Sequence, residues 1–294
     1  MKPAAILLTY ADDRFRDGQA KLCESARAVG FAEVRAASPA DLTDTDFATT
    51  HRHILRHPRG AGYWLWKPYL IRQALDRLRT GEVLFYCDSS EDGFYRFDRF
   101  PAKLVKLAAT LPQGFVVGPA IHQHGPATIW TKRDAMVLLE ADRPDIISRP
   151  LLQGGWSLWR RTPEALRFAD LWLAACCDAR ILTDLPNTQG KPNYPDFIDH
   201  RHDQSALSLL AYREKVKFLE LSRTGIFRVM ASHPDAEMTH RFLKAPRNVE
   251  RLLRGEPAPL AYGREALSRL SARLQRSAPM TARMGAARLS PSRK

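Results

Sequence analysis

No run of apolar residues approaches the roughly 18–20 that a helix needs to cross a bilayer, so architectures built on membrane-spanning helices are excluded. The first apolar run, ending at Thr9, is short and is followed by Asp12 and Asp13. That pattern is unlike a secretory leader and points to a cytosolic protein. Cysteine is scarce: Cys23, Cys87, Cys176 and Cys177 form no C-x-x-C pair, and the adjacent two would close only a strained disulfide. They read as reduced, packed thiols rather than a zinc site. Also missing are a G-x-S-x-G elbow, a P-loop and a D-x-D-x-T start, so the hydrolase, nucleotidase and phosphatase classes that rely on them find no support. No internal repeat is present.

What remains is a 294-residue chain, 45% hydrophobic, long enough for one large domain or two small ones with a true core. Its net charge of +13 is unevenly spread: from Arg251 to Lys294 ten Lys or Arg stand against Glu256 and Glu265, so this stretch holds +8. A basic tail of this kind attracts polyanions, either anionic lipid head groups or nucleic acid, or is simply solvated. The boundary is drawn as a domain over 1–246 and a basic tail, helical or partly disordered, over 247–294.

Hydrophobic spacing predicts alternating strands and helices. Strands are expected at Ala4–Thr9, Val34–Ala37, Val83–Cys87, Phe115–Val117, Leu152–Trp159 and Val216–Leu219. Helices are expected at Asp17–Val29, Asp41–Leu55, Lys67–Leu78, Pro101–Leu111, Thr131–Ala141, Thr162 to about Cys176, and Asp203–Tyr212. The alternation argues for an α/β fold with a mainly parallel sheet flanked by helices. The Pro-, Asn- and Gly-rich stretch Thr183–His202 reads as a lid or binding loop.

Three stretches carry chemistry. Asp88 closes the apolar run Val83–Cys87 and opens an acidic cluster with Glu91 and Asp92. A carboxylate at the carboxyl end of a buried strand is placed to meet a ligand, although a turn cap is the alternative. Upstream, Gly60-Ala61-Gly62-Tyr63-Trp64-Leu65-Trp66-Lys67 offers glycines for close backbone approach and flat rings for a base or sugar. It ends in a lysine able to reach a phosphate, with Arg52, Arg56 and Arg59 just upstream; core anchoring by the tryptophans is the alternative. Third, His202-Asp203-Gln204 opens a helix after the long loop. Asp203 suits a general base or a helix N-cap, Gln204 a hydroxyl partner, and His202 a metal or phosphate contact. Gln153-Gly154-Gly155 lets a sugar pack on backbone, or marks a bulge. The pairs His51/His53, His122/His124 and His200/His202 lack a clearly spaced acidic third ligand.

The run Gly62-Tyr63-Trp64-Leu65-Trp66-Lys67-Pro68-Tyr69, followed by Tyr86-Cys87-Asp88, Trp130–Asp134, Gln153–Trp159, Ile181–Asp184 and His200–Ser205, resembles bacterial glycosyltransferases of the GT-A type over residues 4–220. The resemblance implies a GT-A-like Rossmann-type domain that transfers a sugar from a nucleotide-sugar donor, most often a UDP-sugar, to a glycan or lipid-linked acceptor of a surface polysaccharide. It implies Mn²⁺ or Mg²⁺ on a D-x-D-like motif, with Asp88, Asp92 and His202 as metal contacts and Asp203 and Asp88 as catalytic residues. Tyr63, Trp64, Lys67, Asp88, Gln153, Gly154, Gly155 and Gln204 are the expected donor contacts. The second acid of D-x-D is Ser90 here, which weakens the metal expectation. The tail would dock a cytoplasmic enzyme at the inner membrane. Rival readings are a basic nucleic-acid-binding protein, a histidine-built metal hydrolase, and an inactive glycan-binding relative.

Overall fold

Five short, apolar segments pair into one sheet: β1 (Ala4–Tyr10), β2 (Glu33–Ala37), β3 (Glu82–Cys87), β4 (Phe115–Val117) and β5 (Trp156–Trp159), in the order β2-β1-β3-β5-β4. This computed structural model describes residues 3–90, 95–221, 226–229 and 238–239. All of them lie in one unit, Met1–Ala245, whereas the second unit, Pro246–Lys294, falls outside the described residues, as do Glu91 and Asp92.

The sheet is mixed. β1 pairs in parallel with β2 and β3, while β5 runs antiparallel to both β3 and β4. Both faces of β1, β3, β4 and β5 are covered, which is why these strands read as apolar runs, whereas the edge strand β2 carries Glu33 and Arg35 and is only partly buried. Ile6, Leu8, Leu84 and Tyr86 point into one layer, with the helices Trp66–Asp76, Pro163–Cys177 and His202–Arg213. Ala5, Leu7, Val83 and Phe85 point into the other, with Arg16–Ala28 and Ala102–Thr110. Period-two alternation thus assigns neighbouring residues to opposite cores. In the first layer Trp159 stacks on Phe115 at 4.9 Å between centroids and lies 6.4 Å from Trp172.

Several expected boundaries move for local reasons. The helix expected over Asp41–Leu55 breaks into Asp46–Thr50 and Arg52–Leu55: Thr45 caps the first by accepting from the Ala48 N–H, and His51 leaves helical torsions at φ −103°, ψ 20°. The strand expected from Leu152 starts at Trp156. The preceding carbonyls are engaged elsewhere: Leu152 O by Gln204 Nε2 (2.7 Å) and Gly154 O by the Lys67 ammonium (3.2 Å). Val216–Leu219 is replaced by a strand at Leu219–Leu221, which joins Ile226–Val229 and Met238–Thr239 in a small antiparallel sheet.

The stretch after Leu182 has no regular structure up to Arg201, yet it is fastened to the body. Fully buried Asp134 accepts from the Thr188 N–H (2.6 Å), the Thr188 hydroxyl (2.9 Å) and the Gln189 N–H (3.0 Å). Burial works against its ionisation, but these donors hold its carboxyl below the ordinary range. Lys132 Nζ donates to Thr183 O and Leu185 O, and Thr128 Oγ1 to Asp196. This is a pinned strap, where the composition suggested a lid. Asp134→Ala is expected to cost about 1–3 kcal/mol. Amide exchange at Thr188 and Gln189 should accelerate selectively in hydrogen-exchange measurements.

Candidate functional site

The carboxyl ends of β1 and β3 lie side by side, since Leu8 of β1 pairs with Tyr86 of β3. The chain leaves β1 towards β2 on one side, and leaves β3 towards β4 and β5 on the other. Such a reversal opens a crevice where ligands of open α/β sheets bind. A cavity of about 370 Å³ occupies this point. Its lining comes from the end of β1 (Tyr10, Ala11, Asp12), the turn after it (Arg14, Phe15), the segment Pro58–Ala61 with Trp64 and Trp66, and Asp88 and Ser89 after β3. The volume falls within the range of small-molecule clefts, about 300–1,000 Å³.

The aromatic wall rests on an unusual backbone. Five consecutive residues have positive φ: Gly60 (59°), Ala61 (47°), Gly62 (94°), Tyr63 (55°) and Trp64 (61°). They form one left-handed turn, which costs roughly 1–2 kcal/mol for each non-glycine residue. Glycine is required at two of these positions by geometry. A Cβ on Gly60 would sit 2.4 Å from the Trp64 ring, and one on Gly62 would sit 2.6 Å from Leu55 Cα. The close approach expected of these glycines is therefore to their own chain. The turn is held by Trp66 Nε1 donating to Gly60 O (3.0 Å) and by the Tyr63 hydroxyl meeting His57 Nε2 (3.0 Å). Arg59, just before it, reaches Asp184 (2.6 Å) and Asp199 (2.8 Å) of the strap. Trp64 then faces the cavity while stacking on His202 at 5.5 Å, and Trp66 stacks on Tyr10 at 3.9 Å.

Behind the cavity wall lies a buried charge cluster. Lys67 is 3% exposed, and its ammonium lies 3.2 Å from Asp88 Oδ1, 3.0 Å from Asp203 Oδ2 and 3.2 Å from Gly154 O. The ammonium donates to Gly154 O and pairs ionically with both carboxylates. Burial alone would depress the Lys67 pKa; the Asp203 and Asp88 carboxylates overcome it and hold it above its ordinary value. Asp203, 3% exposed, is pushed up to about 6 by burial, with Asp88 adding repulsion and Lys67 opposing. One cation shared by two carboxylates explains both directions: the lysine gains two partners, and each acid gets part of one. Tyr86, kept in its phenol form by burial and by Asp88, donates its hydroxyl to Asp88 Oδ1.

The expected donor contacts divide accordingly. Asp88 and Trp64 line the cavity. Lys67 does not reach it, so the expectation of a phosphate contact is corrected: it is an internal anchor. Tyr63 is buried against His57 (4.3 Å) and His202 (4.9 Å) rather than offered to a base. Gln153 Oε1 accepts from Trp156 Nε1, and Gln204 donates to Leu152 O. Gly154 and Gly155 make room for Gln204 and for the Tyr95 hydroxyl rather than for a sugar. Asp203 neither caps its helix nor opens into a cleft; its Oδ2 faces Lys67. The residues that the sequence reading passed over are Tyr10, Arg14, Tyr86 and Ser89. Tyr86 was findable: two residues before Asp88 on an extended chain, it shares its face. Ser89 ties the two strand ends together by donating to Tyr10 O (2.6 Å).

Asp88 and His202, the described members of the expected metal set, are not brought together as ligands of a divalent cation. Asp88 Oδ1 is taken by an ammonium and a phenol. His202 does not line the cavity: it is buried against Tyr63 and Trp64, with Nδ1–H donating to Leu182 O (2.8 Å) and Nε2 lying 3.9 Å from Asp184 Oδ1. Asp92 lies outside the described residues. Among the described residues no group of three His, Cys, Asp or Glu side chains is arranged to hold a metal ion, and this includes the H-x-H pairs. Nor, among them, is any helix long and apolar enough to cross a membrane.

No protein-family profile matches the chain, and no curated protein matches it in sequence. Solved structures with a similar chain trace include mouse xyloside xylosyltransferase 1 in its apo form, at 12% identity and TM-score 0.43, covering 75% of this chain and 86% of that one. The apo WbbM bifunctional glycosyltransferase aligns at 12% identity and TM-score 0.40, over 72% of this chain but only 38% of its own. A glycosyltransferase involved in glycosylation of the PBCV-1 major capsid aligns at 11% identity and TM-score 0.28, over 58% and 66%.

Two outcomes follow from this geometry. Gly62→Ala should cost about 2–4 kcal/mol from the combined torsion and overlap, read as a lower urea midpoint. Asp203 contributes stability that is complete below about pH 4 and lost as pH rises through about 6, because its folded pKa lies above its unfolded one. The stability of the native chain minus that of Asp203→Asn should therefore fall by about 2 kcal/mol between pH 4 and pH 7. A flat difference would show that Asp203 does not bind its proton in this way.

Proposed function

We propose that the protein is a GT-A-like glycosyltransferase that uses a nucleotide-sugar donor, most simply a UDP-sugar. The observation that carries this reading is the cavity at the β1/β3 switch point, with aromatic walls, two arginines and two carboxylates, Asp12 and Asp88, in its lining. Each part suits a portion of such a donor. The rings of Trp64 and Tyr10 suit a planar base or a sugar face. The Arg14 guanidinium suits a diphosphate. Asp88, 26% exposed in its side chain, suits hydroxyl groups.

In the transfer, an acceptor hydroxyl oxygen forms a bond to the anomeric carbon. The bond from that carbon to the diphosphate oxygen breaks, its electron pair leaves with the nucleotide, and the acceptor's hydroxyl proton passes to the leaving diphosphate or to water. The chain's contribution is to fix the donor against a rigid wall and to meet the negative charge that develops on the leaving diphosphate. The acceptor is a glycan or lipid-linked sugar of a surface polysaccharide. The basic segment 247–294 docks the enzyme on an anionic inner-membrane surface from the cytoplasmic side, by the charge argument made from sequence.

Thermal shift against a panel of nucleotide sugars tests the reading. At ligand concentrations a hundredfold above Kd the native state gains about 2.7 kcal/mol, so at least one member should raise Tm by several degrees. Asp88→Ala should lower donor turnover by about 100-fold or more. A panel that leaves Tm unmoved, or an Asp88→Ala variant with native turnover, would remove the assignment.

A further inference from the structure

We propose that Asp88 serves the site through one oxygen only, Oδ2, as a hydrogen-bond acceptor for a hydroxyl of the donor, and that donor binding needs no divalent cation. The inference rests on the nucleotide-sugar reading and sharpens it. The two carboxylate oxygens are not equivalent. Oδ1 receives the Tyr86 hydroxyl and the Lys67 ammonium at 3.2 Å, whereas Oδ2 forms no hydrogen bond among the described residues. Oδ2 lies on the side of Gly155, where a Cβ would meet it at 3.6 Å.

Three features make that oxygen a poor metal ligand and a good hydroxyl acceptor. First, a dication bound at Asp88 would sit close to a fixed ammonium, and like charges at such range repel strongly where solvent is scarce. Lys67 cannot withdraw, because Asp203 and Gly154 O hold it. Second, Ser90, which stands two residues on, has its Oγ engaged by the Tyr95 N–H (3.3 Å). Third, the charge of a bound diphosphate has a cationic partner of another kind, since the cavity lining already contains Arg14. A carboxylate oxygen pre-oriented from behind by two donors accepts a hydroxyl with little ordering cost.

The test uses the full chain and three probes, UDP, UDP-glucose and UDP-galactose, with calorimetric affinities measured in EDTA and again in Mn²⁺. Affinities that agree within about threefold in the two media are expected. Binding that vanishes in EDTA and returns with Mn²⁺ would overturn the inference while leaving the glycosyltransferase reading intact. A chain that binds none of the probes in either medium would overturn both. Asp88→Ala should weaken binding by about 10- to 100-fold, the worth of a hydrogen bond to a charged group. Weakening of UDP itself assigns the contact to ribose, and weakening confined to the two UDP-sugars assigns it to the transferred sugar. Asp88→Asn should recover affinity to within about tenfold of native, since its amide still pairs with a hydroxyl and its oxygen still receives Tyr86 and Lys67. A metal ligand would not be rescued in this way. An Asp88→Asn chain as weak as Asp88→Ala, with both melting near the native temperature, would also overturn the proposal.

Discussion

The Lys67 ammonium is the joint on which the site turns. It is the meeting point of three distant parts of the chain: the end of β3 through Asp88, the first turn of the His202–Arg213 helix through Asp203, and the segment before β5 through Gly154. Removing one member of such a buried group typically costs 3–5 kcal/mol, because the partner charge is stranded away from water. The cluster as built leaves one excess negative charge. Burial shifts part of that load onto Asp203, whose proton is held unusually tightly, so Asp88 can keep facing the cavity. Charge and position are thus settled together, by a cation that no ligand touches.

The wall opposite is secured in a different way. The left-handed turn stores torsional cost in Ala61, Tyr63 and Trp64, and what offsets it is packing: Trp64 on His202, Tyr63 on His57, Trp66 on Tyr10. Arg59 extends this hold to the strap by pairing with Asp184 and Asp199. The strap in turn is anchored by Asp134, which does not line the cavity. Local strain of this kind persists only where the surroundings over-determine it. Here the surroundings are aromatic stacking and ion pairs drawn from segments more than a hundred residues apart.

Much of this was legible from the chain before any coordinates. The buried strand ending at Asp88 and the aromatic run ending at Lys67 were both visible, and they do meet. Their manner of meeting was not. Nothing in the local pattern around Lys67 says that its side chain turns inward, because its partners lie 21 and 136 residues away and a lysine at a helix start is ordinarily solvated. The handedness of Gly60–Trp64 was equally hidden, since propensity describes single residues and this turn depends on tertiary contacts. The reversal of β5 escaped notice because a short apolar run has no direction. Its antiparallel course brings Gly154 and Gly155, which precede it, beside the carboxyl end of β3, so the glycines found by pattern serve as scaffold for the charge cluster.

The torsions at Gly62, φ 94° and ψ 42°, lie on the left-handed side of the map, with ψ the mirror of the right-handed helix value and φ about 30° beyond it. For this one turn the chain behaves as if assembled from building blocks of opposite stereochemistry, and achiral glycine is the only genetically encoded residue indifferent to that inversion. A D-amino acid introduced at Gly62 by chemical synthesis would find its preferred backbone already in place, at a spot where every L-residue meets resistance.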